Sequence, residues 1–156
     1  MPHTNLQVYK EIVYEAFFKM LALDEEAITP KSDGGDGGDG NIIKYDPDHQ
    51  SFKQAMIVVV FSGMWLEAFF HQEIVNQQSK NQFNIHNKKS YKEKLELIGI
   101  NDTSTLNKAV AFQKTRNELI HEKAFLDRGD PKLAQVEAKR AHGIIEYVAS
   151  VFAQKG

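Results

Sequence analysis

Along most of this chain apolar residues recur every three or four positions, and no alternating apolar–polar stretch persists. Three to four is the period of a helix that buries one face, whereas a half-buried strand repeats every two. The chain is therefore expected to be all-α, an antiparallel four- or five-helix bundle. Residues 6–23 carry the pattern first: Val8, Ile12, Ala16, Met20 and Leu23 fall at helical spacing, with Val13 and Phe17 beside them.

Local punctuation divides the rest. A glycine- and aspartate-rich stretch, Asp33 to Gly40, lies within residues 29–45, which are expected to be a flexible loop inside one domain of residues 1–156. Asp46 and Pro47 combine a helix cap with a proline that tolerates the first helical turn, and the helix they open is expected to reach about Gln78. Residues 76–89 are polar and asparagine-rich and read as a loop. Ser90 and Glu93 form the pattern of a capping box, starting a short helix that stops at Gly99. A fourth helix is expected from about residues 102–104 to Leu126, with Gly129 suited to the stop, and a fifth from Asp130-Pro131 to Ala153.

Composition narrows the chemistry. There is no cysteine, which removes disulfides and thiolate metal sites and fits a reducing cytoplasm. No basic, apolar leader opens the sequence, and the apolar run 55–70 falls short of the length that suggests a membrane span. The net charge of −2 excludes a protein that grips nucleic acid through a global positive field, so any such chemistry must come from a local site.

The fourth helix carries that site. On a helical wheel, Leu106, Ala109, Phe112, Leu119, Ile120 and Leu126 flank Arg116, which places a permanently charged guanidinium on the midline of an apolar face. Such a group needs a carboxylate, a phosphate or a wet cleft. Glu67, set between Trp65-Leu66 and Ala68-Phe69-Phe70, is the expected internal partner. Asn117 and His121 are four residues apart and share a flank with Val110. His121 lies about 140° from Arg116 on a straight helix, so one chain alone makes a loose site. A groove completed by a second subunit suits that geometry better.

Arg116-Asn117-Glu118-Leu119-Ile120-His121 resembles the signature of the HEPN superfamily, an arginine followed after four to six residues by a histidine. Asn117 matches the polar residue that often follows the arginine, and residues 61–70 resemble the earlier core helix with its acidic residue. The resemblance spans most of residues 50–153. It implies a HEPN-like bundle and a homodimeric, cytoplasmic endoribonuclease needing neither metal nor cofactor. Cleavage would leave 2′,3′-cyclic phosphate ends, as in a toxin or defence effector. It also implies roles: His121 moves protons, Arg116 and Asn117 engage the phosphate, and Glu67 holds Arg116. Lys114 and Lys123 are the basic side chains expected to meet RNA. An antitoxin-type protein partner is a further implication. However, Lys123 stands where toxins paired with a nucleotidyltransferase often have a tyrosine, which weakens the case for that partner. A non-catalytic HEPN module binding a nucleotide or a protein is the alternative, and a helical interaction protein outside the family is a third reading.

Other features read more simply. His3, His49, His71, His86 and His142 show no metal-ligand spacing. The aspartates of the glycine-rich stretch are three apart rather than two, which fails the EF-hand pattern. It resembles one calcium-binding nonapeptide, but Asn41 stands where an apolar residue is required and no repeat follows. Lys88, Lys89, Lys92 and Lys94 read as a solvated basic patch able to touch an RNA backbone.

Overall fold

A computed structural model describes residues 4–26, 28–30, 41–43, 49–120 and 129–153. The fold is all-helical, with six helices among the described residues: α1 (Asn5–Glu26), α2 (Gln50–Gln77), α3 (Lys80–His86), α4 (Tyr91–Leu97), α5 (Thr103–Leu119) and α6 (Asp130–Ala153). Between α1 and α2 a minimal antiparallel ribbon pairs β1 (Ile28–Pro30) with β2 (Asn41–Ile43), Ile28 opposite Ile43.

The ribbon corrects part of the expected 29–45 loop, whose two ends pair; residues 31–40 and 44–48 lie outside the described residues. The expected start of α2 at Asp46-Pro47 lies there too, and the described helix begins at Gln50 behind His49, whose φ is 51°. The polar stretch 76–89 was expected to be a loop and instead contains α3. Its cap is Ser79, whose hydroxyl accepts the Gln82 amide at 3.1 Å. No residue of α3 is buried. A short helix without an apolar stripe leaves no period to read.

The capping box at α4 is present as expected, the Ser90 amide donating to Glu93 at 2.9 Å and the Glu93 amide to the Ser90 hydroxyl at 3.2 Å. The helix closes at Gly99, whose φ of 96° is open to glycine at little cost. The Ile100 amide then donates to the Leu95 carbonyl at 2.9 Å and the Gly99 amide to that of Glu96 at 3.1 Å. This is the paired bonding of a Schellman stop, and it turns Ile100 into the core.

Helix α2 is the hub, packing against all five other helices. Its start meets the end of α1, where the Ser51 hydroxyl donates to Asp24 at 2.8 Å. Farther along, Tyr9 packs on Phe61, so the two helices run antiparallel. Gln135 of α6 donates to that same Ser51 hydroxyl at 2.8 Å, and Phe152 meets Phe69 edge-on. Helices α2 and α6 therefore run parallel, as alternate helices of an up-and-down order do. Among the described residues α2 alone is long and apolar enough to cross a membrane, a length the 55–70 run by itself understated. Val58, Val59, Leu66, Phe70 and Ile74 are fully buried against the neighbouring helices, which is the pattern of a core helix.

Two ionisable side chains are drawn inward by packing. Glu137 of α6 is buried and held above its ordinary pKa by loss of water, with Arg140 and the Thr115 hydroxyl of α5 opposing that shift. His142 stacks on Phe17 with ring centres 4.0 Å apart. Burial pushes His142 below its ordinary pKa, against the weaker pull of Glu146. The neutral ring is thus favoured in the folded state, so the unfolded chain binds the extra proton as pH falls. Stability is expected to decline as pH drops below 6.5, the ordinary histidine value. Urea denaturation at pH 7.5 and pH 5.5 should show a smaller loss in His142→Phe, and an equal loss would assign the effect to other groups.

Candidate functional site

Helix α5 is positioned at both ends of its path. Its cap, Asp102, accepts the Thr105 amide at 2.9 Å and the Thr105 hydroxyl at 2.7 Å, which also holds the Asp102 carboxyl below its ordinary pKa. Leu106, Ala109, Phe112 and Leu119 are buried as the wheel requires. The apolar face stops sooner than expected: α5 ends at Leu119, and Ile120 is exposed at its C-cap rather than packed. His121, Lys123 and Leu126 lie outside the described residues.

Arg116 sits on the core side of α5, its side chain 17% exposed. The guanidinium stem crosses α2 at Gly63. A Cβ built on Gly63 would stand 2.0 Å from Arg116 Nε and 2.7 Å from its Cδ. Only a residue without a side chain leaves that passage open. Arg116 Nε is buried there with no acceptor among the described residues. One turn along α2, Glu67 Oε1 lies 3.9 Å from Arg116 Nη1, so the direct pair expected from the sequence is formed.

Glu67 departs from expectation in one respect. Its side chain is 51% exposed, so it stands at the rim rather than inside the core. A loose, half-solvated ion pair is worth about 0–1 kcal/mol. The firmer tether is Tyr91 of α4, whose hydroxyl donates to Glu67 Oε1 at 2.9 Å; a hydrogen bond to a charged group is worth about 1.5–3 kcal/mol. Burial holds the Tyr91 phenol above its ordinary pKa, Arg116 opposes this and Glu67 reinforces it, so Tyr91 stays a donor. Tyr91 is itself placed by α5, since its backbone amide donates to Gln113 Oε1 at 2.9 Å. Its ring packs against Phe70 and Phe112.

Lys94 corrects the solvated basic patch. It is buried at 7% exposure, with Nζ 5.8 Å from the Phe70 ring centre, while Lys88, Lys89 and Lys92 are exposed as expected. Loss of water pushes Lys94 below its ordinary pKa, and the charge of Glu67 partly restores it. Asn117 and Lys114 are exposed on α5 and take no part in this cluster. The structure therefore joins Arg116 and Glu67, as the sequence suggested, and adds Gly63, Tyr91, Lys94 and Gln113. Gly63 left a signal, being a glycine inside a long apolar helix. Tyr91 follows a capping box and left none.

The seat on Gly63 is testable by a double-mutant cycle. Gly63→Ala should force Arg116 aside and cost about 1–3 kcal/mol in urea denaturation. The same change in an Arg116→Ala background should cost far less, because the displaced atoms are gone. Equal costs would show that Arg116 does not rest on Gly63. Comparison of the chain with protein-family models, with curated proteins and with solved structures finds no match to any of them.

Proposed function

We propose that this protein is a metal-independent endoribonuclease of the HEPN type, with a HEPN-like bundle, working as a cytoplasmic homodimer. The observation that carries the reading is Arg116: a permanent cation seated across Gly63, only loosely paired to Glu67 at 3.9 Å, with its buried Nε lacking an acceptor among the described residues. A guanidinium used purely as a structural strut would be expected to spend its donors on close acceptors. The motif residue Asn117 follows it directly and His121 stands five residues on.

In this reaction the RNA 2′-hydroxyl loses its proton and attacks the adjacent phosphorus. The bond to the 5′-oxygen breaks, leaving a 2′,3′-cyclic phosphate and, after protonation, a 5′-hydroxyl. His121 moves a proton at the attacking or leaving oxygen, as an imidazole titrating near neutrality can. Arg116 balances the charge that grows on the phosphate, and Asn117 orients it. Glu67 keeps Arg116 in place, while Lys114 and Lys123 meet the RNA backbone. A second copy is supported by the exposed Val110 on α5, on the flank that carries Asn117. An antitoxin-type partner would act by covering that flank.

The non-catalytic alternative, a module that binds a nucleotide or a protein, draws support from the depth of Arg116. One experiment separates them: purified protein incubated with total RNA in EDTA, its product ends mapped. Cyclic phosphate ends are expected, with cleavage reduced about 100-fold or more in Arg116→Ala and in His121→Ala. Uncut RNA over a broad panel would retire the ribonuclease reading in favour of the binding module.

A further inference from the structure

Around Glu67, among the described residues, cations outnumber carboxylates. Arg116 from α5 pairs with this carboxylate, and Lys94 from α4, over the same Phe70 ring that Tyr91 packs on, lies within reach of its field beyond ion-pair distance. Among the described residues no carboxylate comes within ion-pair distance of Lys94, and Arg116 reaches only Glu67. Among the described residues, two cations partly removed from water thus lie near a single carboxylate, only Arg116 paired with it, and Tyr91 adds a neutral donor aimed at the same oxygen. Glu67 is also the member placed to leave: half exposed, it can turn into solvent without uncovering the core. Arg116, Tyr91 and Lys94 are each anchored by ring packing, by the Gly63 seat or by burial.

We propose that Arg116, Tyr91 and Lys94 form a receiving site for a phosphate group, and that Glu67 is its built-in competitor, holding the donors until a phosphate displaces it. A phosphate carries more acceptors than a carboxylate and can meet the arginine fork with two oxygens. Displacement moves the Glu67 charge into water, where it opposes the incoming anion less, and a dianionic phosphate would then match both cations. This inference takes the Arg116 site of the ribonuclease reading as its starting point but adds two donors and a competitor that the reading does not use. The two fail separately. An inactive protein that binds phosphate here keeps the inference and removes the reading. Arg116-dependent cleavage without phosphate binding at Tyr91 does the reverse.

The test is an NMR titration of the purified chain. Signals of the Tyr91 amide and the Arg116 side chain are followed against inorganic phosphate and, separately, a short RNA with every ribose 2′-O-methylated, which cannot be cleaved. Glu67→Gln keeps an acceptor for Tyr91 but removes the charge, and should tighten binding roughly tenfold. Tyr91→Phe and Lys94→Met, both of which preserve packing, should each weaken it about threefold or more. Glu96→Gln, on the exposed face of α4, is the control and should leave affinity nearly unchanged. Response to the oligonucleotide alone would identify the ligand as a phosphodiester, and response to inorganic phosphate would identify a free phosphate; either supports the site. No response at Tyr91 to either probe, in both wild type and Glu67→Gln, would overturn it. So would equal tightening in Glu96→Gln, which would reduce the effect to overall charge.

Discussion

A guanidinium laid across a helix backbone needs a gap in the opposing side chains, and in this protein Gly63 is that gap. The close approach of α5 to α2 at this level depends on it. Arg116 can run along the core face of α5 without pushing α2 away, so Phe112 and Leu119 still reach the interior. Remove the gap and either the arginine leaves or the helices part. In a close-packed interior there is no third choice.

The polar rim is built outward from that crossing. Arg116 reaches Glu67, Glu67 accepts from Tyr91, and Tyr91 is tied back to α5 through Gln113. Three helices are joined in a closed circuit of charge and hydrogen bonds at the edge of an otherwise apolar core. A second polar tie, Asp24–Ser51–Gln135, joins α1, α2 and α6 at the start of α2. Between them, the two circuits set the register of α2 against its neighbours, which uniform apolar contacts specify less sharply. The energies differ in kind. The apolar helix faces supply most of the stability, at about 25 cal/mol per Å² buried. The polar circuits choose one arrangement among several that bury similar area.

Such a circuit would let one arginine serve both structure and the chemistry proposed for it. Its stem is fixed by packing, while its charged end meets a partner at the edge of water. A cation wholly satisfied in the core would have nothing to offer a ligand, and one free in solvent would have no fixed direction. Arg116 lies between these limits, and the loose spacing to Glu67 is what keeps it there.

Much of this was legible in the sequence, for identifiable reasons. The helical period is a local property of the chain, so α1, α5 and α6 were readable from apolar spacing, from the cap Asp102 and from the Asp130-Pro131 start of α6. The Arg116–Glu67 pair was readable because burying an isolated charge is costly, which makes a lone carboxylate in an apolar helix conspicuous. Short α3 was not readable, since it fully buries no residue and presents Phe83 as a lone contact with the core, and the ribbon was not, since three residues are too few to establish a period. Tyr91, Lys94 and the seat on Gly63 belong to a different class. Each acquires its role from a neighbour distant in sequence, Tyr91 from a carboxylate 24 residues away and Gly63 from an arginine on another helix. Local sequence determined which segments are helices and which side chains needed partners. Only the packing of α2, α4 and α5 against one another decided who those partners are, because the choice rests on distances that no local pattern contains.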